Sequence, residues 1–500
     1  MNFISSSSGY LLLLVFGLSM LLVTYLFGRW GKWKTKESFL VANRDVGWVL
    51  GGFSIAASWI WAPALFVSVQ LAYQKGLAGI FWFTVPNILS LTVFALLAPK
   101  IREQLPEGFT LPQYIKYKLH SERVHKIYLF PYFFYQLMAV TVQLFAGGSL
   151  VALLTGIALP KVMIILTIIV LAYTLISGLK ASIVTDFVQL ATIFVVGVII
   201  IPLASKIAGG SQAIRAGFTG IEGIKSMFDP AVAFSFGIVT SIGLIAGSIA
   251  DQSNWQRAFA VKKNQLVKAF IFGSILFGTV PLCLSVLGFI AANPALGITL
   301  PPGVDVSMIG IQTISQLLPP WAVFVFALAF LAILSSAFDA GLCAASSLWV
   351  ADVAQPKDDT EAIKSARYAM VGIAALGLLV ALAVLYIPHF GLQQLWWIFN
   401  TIAACIVVPT ILSLYWNKLN EKGVFWGVLV AFVVGIPIFI YSNVIDKPAW
   451  VVGSSLFIIL VSTVFALLFS TNRAPGLAPT QIESQPLSKL ARTPAWWRRW

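Results

Sequence analysis

Apolar runs of about 20 residues recur along the whole 500-residue chain, and they limit its fold more than any other feature. A run of this length crosses a hydrocarbon core of about 30 Å as an α-helix. Charged residues make up only 10% of the chain, against roughly 25% in soluble domains. The sequence therefore predicts an all-α polytopic membrane protein. It excludes a soluble enzyme, a secreted disulfide scaffold and a β-barrel, whose strands would alternate.

About thirteen transmembrane spans can be placed on the chain. They lie near residues 9–28, 46–73, 77–99, 127–156, 160–178, 183–205, 231–250, 267–291, 320–350, 368–388, 391–416, 424–443 and 449–470. The segments between them fall alternately on two sides. The segments of one side are 29–45, 100–126, 179–182, 251–268, 351–367, 417–423 and 471–500.

The distribution of basic residues predicts the orientation. Segments of the first side hold 26 of the 32 Lys and Arg residues, and the opposite side holds the other six. Cationic loops stay in the cytoplasm. We therefore expect a multi-pass protein of the cytoplasmic membrane with its N-terminus outside and its C-terminus inside. Residues 471–500 form a basic, Trp-containing tail, which we expect to rest on anionic lipid.

The second span contains the first candidate site. It reads GGFSIAASWIWAPALFVSVQLAY, with small residues before Trp59 and Trp61 and with Pro63 after them. A proline inside a helix removes one backbone hydrogen bond. In a membrane, unpaired backbone groups are tolerated only against protein or a water-filled cavity. The pattern favours a broken helix that binds solute and ion at mid-membrane, and the alternative is a kinked packing helix.

The seventh span is rich in small and hydroxyl residues. It contains Gly243 and Gly247 among several serines, including Ser241 and Ser248. This composition suits an unwound stretch beside a small ligand. It suits close helix packing equally well, because the two glycines are four residues apart.

The ninth span places polar groups in an apolar helix. Ser335, Ser336 and Asp339 are three and four residues apart, so they share roughly one face. An ionisable residue within a span is costly and indicates function. Hydroxyl and carbonyl oxygens suit a hard cation such as sodium, whereas serines that bond their own helix are the structural alternative. Asp186, at the start of the sixth span, is also poorly explained as an interface residue.

Three segments of this chain resemble the signature segments of the sodium:solute symporter family. They are SGLKASIVTDFVQ, ADQSNWQRAFA and AILSSAFDAGLCAASSLWVADV. The resemblance runs from about residue 35 to residue 420, in the right order and spacing. It implies a LeuT-type core over 46–416, built of two inverted five-helix repeats, with peripheral segments before and after it. The implied divisions are 1–45, repeats of about 46–205 and 231–416, two helices in 417–470, and the tail 471–500.

The resemblance also implies an ion site. The residues that match the family's sodium ligands are Ala57, Ile60, Ala332, Ser335 and Ser336. Asp186 matches an acidic residue that helps the ion to leave on the inner side. Asp339 is not part of the family site, and it is interpreted as a structural partner, a pH-sensitive group or the place where a proton substitutes for sodium.

The string SWIWAPALFVSVQLAYQKGLAGIFWF resembles the urea-type branch of the family. Planar, neutral urea would stack on Trp59 or Trp61. The substrate-binding residues predicted on this basis are Trp59, Trp61, Ser68, Ser241, Gly243, Gly247 and Ser248. The residues themselves favour a small uncharged or zwitterionic solute, and only the resemblance specifies urea.

The predicted function is therefore sodium-coupled import of a small polar solute by alternating access. A proton-coupled carrier, a carrier of an amino acid or monocarboxylate, and a passive facilitator or channel remain alternatives. We expect no enzyme activity, no cofactor besides the coupling ion, and no nucleic-acid partner. The expected partners are the solute, sodium and membrane lipid, and no protein partner is evident from the sequence.

Overall fold

The computed structural model describes residues 4–28, 35–387, 392–445 and 447–470. Within these residues the chain is helical, and its one β-bridge joins Val46 to Val261. Twelve described helices are long and apolar enough to cross a membrane. They are Ser6–Leu26, Val67–Gln104, Glu122–Thr155, Leu159–Ile176, Gly178–Ile207, Pro230–Ala250, Lys263–Ala292, Pro320–Ala354, Asp359–Val384, Leu392–Tyr415, Glu421–Val444 and Pro448–Leu468. The predicted tail 471–500 lies outside the described residues.

The second predicted span is built from separate helical pieces. It consists of Trp48–Trp59, Ala62–Leu65 and the first part of Val67–Gln104. The last helix changes direction at Gly76, whose φ of +60° suits glycine. Span two therefore ends there and span three begins, as predicted near residues 73–77. Together with the twelve long helices, this interrupted crossing accounts for the thirteen predicted spans.

Shorter helices lie between the spans. They are Lys36–Val41, Leu111–Leu119, Ser211–Ala216, Gln252–Ala260 and Ile309–Leu317. Ser211–Ala216 lies within segment 206–230, and Ile309–Leu317 lies within segment 292–319. Segment 251–268 was predicted only as a connection, but its helix Gln252–Ala260 has all nine residues buried.

The connecting segments of each side contact one another as the alternation predicts. On the side with most of the Lys and Arg residues, which we call the basic side, Arg102 donates to the carbonyl oxygens of Ala258 and Phe259. Thr110 donates to Asp352 at 2.7 Å on the same side. On the opposite side, Lys75 pairs with Glu222 and Asp305 accepts from the Leu392 N–H.

The seventh span lacks the unwound stretch that was one of its two predicted forms. It begins with the short turn Pro230–Val232, continues as a π-helical turn, Ala233–Gly237, and is a regular α-helix over Ile238–Ala250. The predicted unwound stretch at Gly243 and Gly247 is therefore wrong, and the packing alternative is confirmed. The helix ends at Asp251, which caps the buried helix Gln252–Ala260 by accepting from the Ser253 N–H at 2.8 Å. The chain is thus interrupted at the end of this span that lies on the basic side.

Candidate functional site

The second span breaks at Ile60 and Trp61, within the predicted stretch. Ile60 has φ −77° and ψ 77°, and the Trp61 N–H donates to the Trp59 carbonyl oxygen at 2.9 Å. This is the geometry of an inverse γ-turn. The Ile60 N–H is shared between the carbonyl oxygens of Ala56 and Ala57, at 2.9 and 3.2 Å. Regular helical hydrogen bonding therefore stops in the interior of the protein.

A side chain from span four accepts a hydrogen bond from the backbone where the helix begins again. Ala62 and Pro63 begin the next helical piece, and proline suits this first turn because an N–H there would have no helical partner. The Ala62 N–H donates instead to Oε1 of the buried Gln143, at 3.0 Å. The break therefore has the internal hydrogen bonding that an unwound segment needs at membrane depth.

A small cavity lies beside the break. It has a volume of about 20 Å³, about enough for one water molecule. Its lining residues are Trp59, Trp61, Pro63, Ala64, Phe83, Asn87, Tyr135, Leu244, Trp396, Phe399 and Asn400. None of these described lining residues carries a charge at neutral pH. The cavity in this conformation therefore suits a very small neutral molecule.

Aromatic rings form much of the cavity wall. Trp61 stacks on Phe399, with ring centroids 4.9 Å apart and an interplanar angle of 23°. Its centroid is 5.3 Å from that of Tyr135, and its indole N–H donates to the Ser58 carbonyl oxygen at 2.7 Å. The buried indole N–H of Trp59 has no hydrogen-bond partner among the described residues. Of the two tryptophans at the break, Trp59 is thus the one with a donor left for a ligand.

Two asparagines add hydrogen-bonding groups to the apolar wall. The Asn400 amide donates to the Trp396 carbonyl oxygen at 3.0 Å and accepts from the Tyr135 hydroxyl at 3.3 Å. Asn87 donates to the Phe83 carbonyl oxygen at 2.8 Å. Each asparagine carbonyl has two lone pairs. Both side chains therefore retain capacity to accept from a bound solute.

A row of polar side chains joins span six to span nine, and we call it the polar ladder. The hydrogen-bonded pairs are Ser182 with Asp339 (2.7 Å), Asp186 with Ser336 (2.5 Å) and Gln189 with Ser335 (2.9 Å). Residues of span six in this row are four and three positions apart, so they share one helix face. The prediction that the polar residues of span nine share a face is thereby confirmed.

Asp186 connects the polar ladder to span two. It accepts from the Ser54 hydroxyl at 2.5 Å and pairs with the Arg257 guanidinium at 3.1 Å. The Arg257 Nε donates to Ser54 at 2.9 Å. Both charged side chains have zero exposed surface. Spans two, six and nine and the helix Gln252–Ala260 therefore meet at one carboxylate.

The five residues expected around sodium are all buried. Ser335 donates to the Ala332 carbonyl oxygen at 2.6 Å, so two of the expected ligands are in direct contact. Ser336 faces Asp186 instead. Ala57 lies three residues after Ser54, about one helical turn beyond the Asp186 contact. The structure thus brings the two helices of the expected site together, and ion binding there stays a prediction.

The seven residues expected to bind substrate separate into two groups. Trp59 and Trp61 line the cavity. The others are absent from its described lining, and they are Ser68, Ser241, Gly243, Gly247 and Ser248. The three serine hydroxyls donate to carbonyl oxygens of their own helices, at 2.7 to 2.9 Å. The structure gives these hydroxyls a structural contact, and their role in binding remains a prediction.

The two glycines of span seven allow span eleven to approach closely. A Cβ on Gly243 would lie 3.2 Å from the Asn400 Cβ. A Cβ on Gly247 would lie 2.1 Å from the Asn400 Oδ1 and 3.0 Å from the Tyr135 hydroxyl. The missing side chain at Gly247 therefore leaves the room that Asn400 occupies beside the cavity, although Gly247 itself does not line the cavity.

Sequence reasoning missed the cavity residues that other spans contribute. Asn87 and Asn400 line the cavity from spans three and eleven, and Gln143 of span four is a further missed residue, which bonds the Ala62 N–H. Amides within apolar spans are unusual enough to suggest a site, so this signal was present. The aromatic residues Tyr135 and Phe399 carry no such signal, because aromatic residues are common throughout the chain.

The sequence matches the sodium:solute symporter family over residues 39–431. The chain belongs to this family. A similar structure is the substrate-bound, outward-open state of a Na⁺-coupled sialic acid symporter, with a TM-score of 0.71 and 16% identity over 95% of this chain and 100% of that one. The fold is therefore of the LeuT type.

Two curated proteins that are similar to this chain are named for different substrates. The urea-proton symporter DUR3 of Oryza sativa subsp. japonica is 22% identical over 87% of this chain and 66% of its own length. The sodium/pantothenate symporter of Haemophilus influenzae is 26% identical over 64% of this chain and 68% of its own length. The chain thus spans about two thirds of the length of these curated relatives.

Proposed function

We propose that this protein is an ion-coupled symporter that imports a small, neutral polar solute, with urea as the leading candidate. The observation that carries the proposal is the break at Ile60 and Trp61, which opens on a small uncharged cavity. Discontinuous helices at this depth are where transporters of such folds bind solute and ion. The similarity to a protein named as a urea-proton symporter supports the choice of urea.

The groups around the cavity complement urea. Urea offers one carbonyl acceptor and four N–H donors on a planar, neutral frame. The unpaired indole N–H of Trp59 matches the carbonyl, and the amide oxygens of Asn87 and Asn400 match the N–H groups. The cavity holds about one water molecule in this conformation, so it must widen for urea and much more for a solute of pantothenate size. The uncharged lining disfavours a monocarboxylate.

The proposed coupling ion is sodium, bound by backbone carbonyls of Ala57, Ile60 and Ala332 and by the hydroxyls of Ser335 and Ser336. The burial of all five residues and the junction of spans two, six and nine at Asp186 support this assignment, whereas the bond from Ser335 to the Ala332 carbonyl oxygen is the contact that the structural alternative expects. Asp186 contacts Ser336 and is proposed to help the ion toward the basic side.

Coupling to protons is the second candidate. Asp186 and Asp339 are both buried and share the polar ladder, whereas Arg257 is the guanidinium that pairs with Asp186. Two buried carboxylates beside one cation leave one negative charge to neutralise, and burial penalises an uncompensated charge. A proton on Asp339 would neutralise this negative charge, just as a sodium ion bound nearby would.

The substrate part is tested by uptake of radiolabelled urea into proteoliposomes with Trp59→Phe. This change removes the indole N–H and keeps an aromatic ring. One hydrogen bond is worth about 0.5–1.5 kcal/mol, so KM should rise up to about tenfold. Trp450→Phe is the matched control, because Trp450 is 58% exposed on span thirteen. An unchanged KM in Trp59→Phe would contradict this role.

The ion part is tested by the double variant Ser335→Ala/Ser336→Ala. We expect it to lose the sodium dependence of urea uptake and any stabilisation by sodium in thermal unfolding. Ser454→Ala/Ser455→Ala is the control, because these two buried serines only bond their own helix. If Asp339→Asn abolishes coupling while the serine variant retains it, the proton alternative replaces the sodium proposal.

A further inference from the structure

A long apolar groove lies on the outside of the helix bundle, and its lining shares no residue with the cavity beside the break in span two. Its walls are the helices Glu122–Thr155 and Asp359–Val384, and its floor is the inner end of Pro320–Ala354. The cavity has a volume of about 660 Å³, which is within the range of about 300–1,000 Å³ typical of ligand sites. Phe130 and Leu376 line it and are 52% and 54% exposed. The groove therefore faces the surroundings of the bundle.

The groove has the length of one lipid leaflet. Its lining along the first wall runs from Lys126 to Leu137, and eleven residues of helix span about 16 Å. Half of a hydrocarbon core is about 15 Å. Phe130, Phe133 and Phe134 lie between these two ends on the same helical stripe. An acyl chain entering from the basic side would therefore reach about the middle of the membrane within the groove.

The mouth of the groove is basic. Lys126 lines it, and Arg123 lies one turn before Lys126 on the same helix. On the opposite wall, Lys364 lies 6.0 Å from the ring centroid of Tyr368, a lining residue, and Arg367 is its neighbour in sequence. All four cations are exposed. Clusters of this kind beside transmembrane helices attract anionic headgroups.

The acidic side chains nearest the mouth in sequence already have partners. Glu122 pairs with Lys116 at 2.6 Å, and Glu361 accepts from the Lys357 N–H at 2.9 Å.

An amphipathic aromatic residue also lies at the mouth of the groove. The indole N–H of Trp349 donates to Ser365 at 3.0 Å, as is usual for tryptophan where apolar and polar surroundings meet.

We propose that this groove binds one anionic phospholipid from the leaflet on the basic side. Its phosphate lies among Arg123, Lys126, Lys364 and Arg367, and one acyl chain follows the phenylalanine stripe toward Leu137. Ala345, on the floor, belongs to the same helix as Ser335, Ser336 and Asp339. The lipid therefore contacts the inner end of the helix that carries the polar ladder.

The test is native mass spectrometry of the purified full-length protein with added phosphatidylglycerol or phosphatidylcholine. Gly372 lines the groove, and a Cβ built there meets nothing within 4 Å, so Gly372→Phe has room for its Cβ and places a ring in the groove. Gly453→Phe is the matched control, because Gly453 also has open space around it. We expect retention of one phosphatidylglycerol by the unmodified protein and by Gly453→Phe, and at least a tenfold loss in Gly372→Phe.

Charge is tested with Lys126→Gln/Lys364→Gln. Each cation should contribute about fivefold to the preference for phosphatidylglycerol over phosphatidylcholine, equivalent to about 1 kcal/mol. Equal retention of the two lipids by the unmodified protein would overturn the proposal, and this comparison needs no variant. Undiminished retention of phosphatidylglycerol by Gly372→Phe would overturn it as well.

Discussion

Replacing Asp186 with Asn tests whether the buried ion pair holds the centre of the bundle together. Asp186 and Arg257 have no exposed surface, and Asp186 also accepts hydrogen bonds from Ser54 and Ser336. Asn keeps the shape of the side chain but removes its charge, so the Arg257 guanidinium would stay buried without the carboxylate that it contacts, and the other buried carboxylate, Asp339, bonds Ser182 instead. Breaking a buried ion pair from one side costs about 3–5 kcal/mol in the free energy of unfolding.

The expected shift in unfolding temperature follows from the chain length. Unfolding entropy is about 2.1 cal/mol/K per residue, or about 1 kcal/mol/K for a chain of this size. A loss of 3–5 kcal/mol should therefore lower the midpoint of thermal unfolding by about 3–5 °C. The assay is tryptophan fluorescence during heating of the purified protein in detergent.

Adding Arg257→Gln to Asp186→Asn should restore much of the lost stability, because no buried guanidinium is then left without the carboxylate that it contacts. We expect a coupling energy of about 0.5–3 kcal/mol between the two sites. Asp45→Asn is the control, since Asp45 pairs with Lys262 at 3.0 Å with side chains 76% and 43% exposed. Such pairs contribute about 0–1 kcal/mol. A shift in Asp186→Asn no larger than in Asp45→Asn, or strictly additive effects, would refute the reasoning.

Three further variants test other contacts. Gly76→Ala should lower the unfolding temperature, because Gly76 has φ +60° and its Cβ would lie 2.0 Å from the Phe218 carbonyl oxygen. Gly247→Ala should reduce urea uptake by displacing Asn400, and Gly247→Ala/Asn400→Ala should be no worse than Asn400→Ala. Burial raises the pKa of the Asp251 carboxyl to about 6, against about 3.9 in an unfolded chain. The raised pKa therefore contributes stability fully below about pH 4, and this contribution is lost as pH rises through about 6. Asn stays neutral throughout, so the stability of Asp251→Asn relative to the unmodified protein should rise across that window.

Much of the fold could be predicted from local pattern. Helix length and loop charge determine the spans, because membrane thickness and the positive-inside rule act on short stretches of chain. The break at Ile60 was also visible, since Pro63 and the small residues before Trp59 weaken a helix locally. The shared face of Ser335, Ser336 and Asp339 follows directly from helical periodicity.

The regular helix at Gly243 and Gly247 of the seventh span could not be predicted, because the composition of this span fits two structures equally. Gly243 and Gly247 would suit unwinding or close packing, and the outcome depends on Asn400, more than 150 residues away. The same is true of the cavity, whose wall combines residues from spans that are distant in sequence. Single-sequence patterns locate unusual residues, but they do not show which of them meet.

The most direct test of the proposed function is the accumulation of urea inside proteoliposomes against its own gradient. An inward sodium gradient, or a matched proton gradient, is imposed with equal urea on both sides. Coupled symport predicts an internal urea concentration above the external one, and its collapse when an ionophore dissipates the driving ion gradient. If urea enters rapidly but never exceeds the external concentration under either gradient, the protein is a facilitator and coupled symport of urea is wrong.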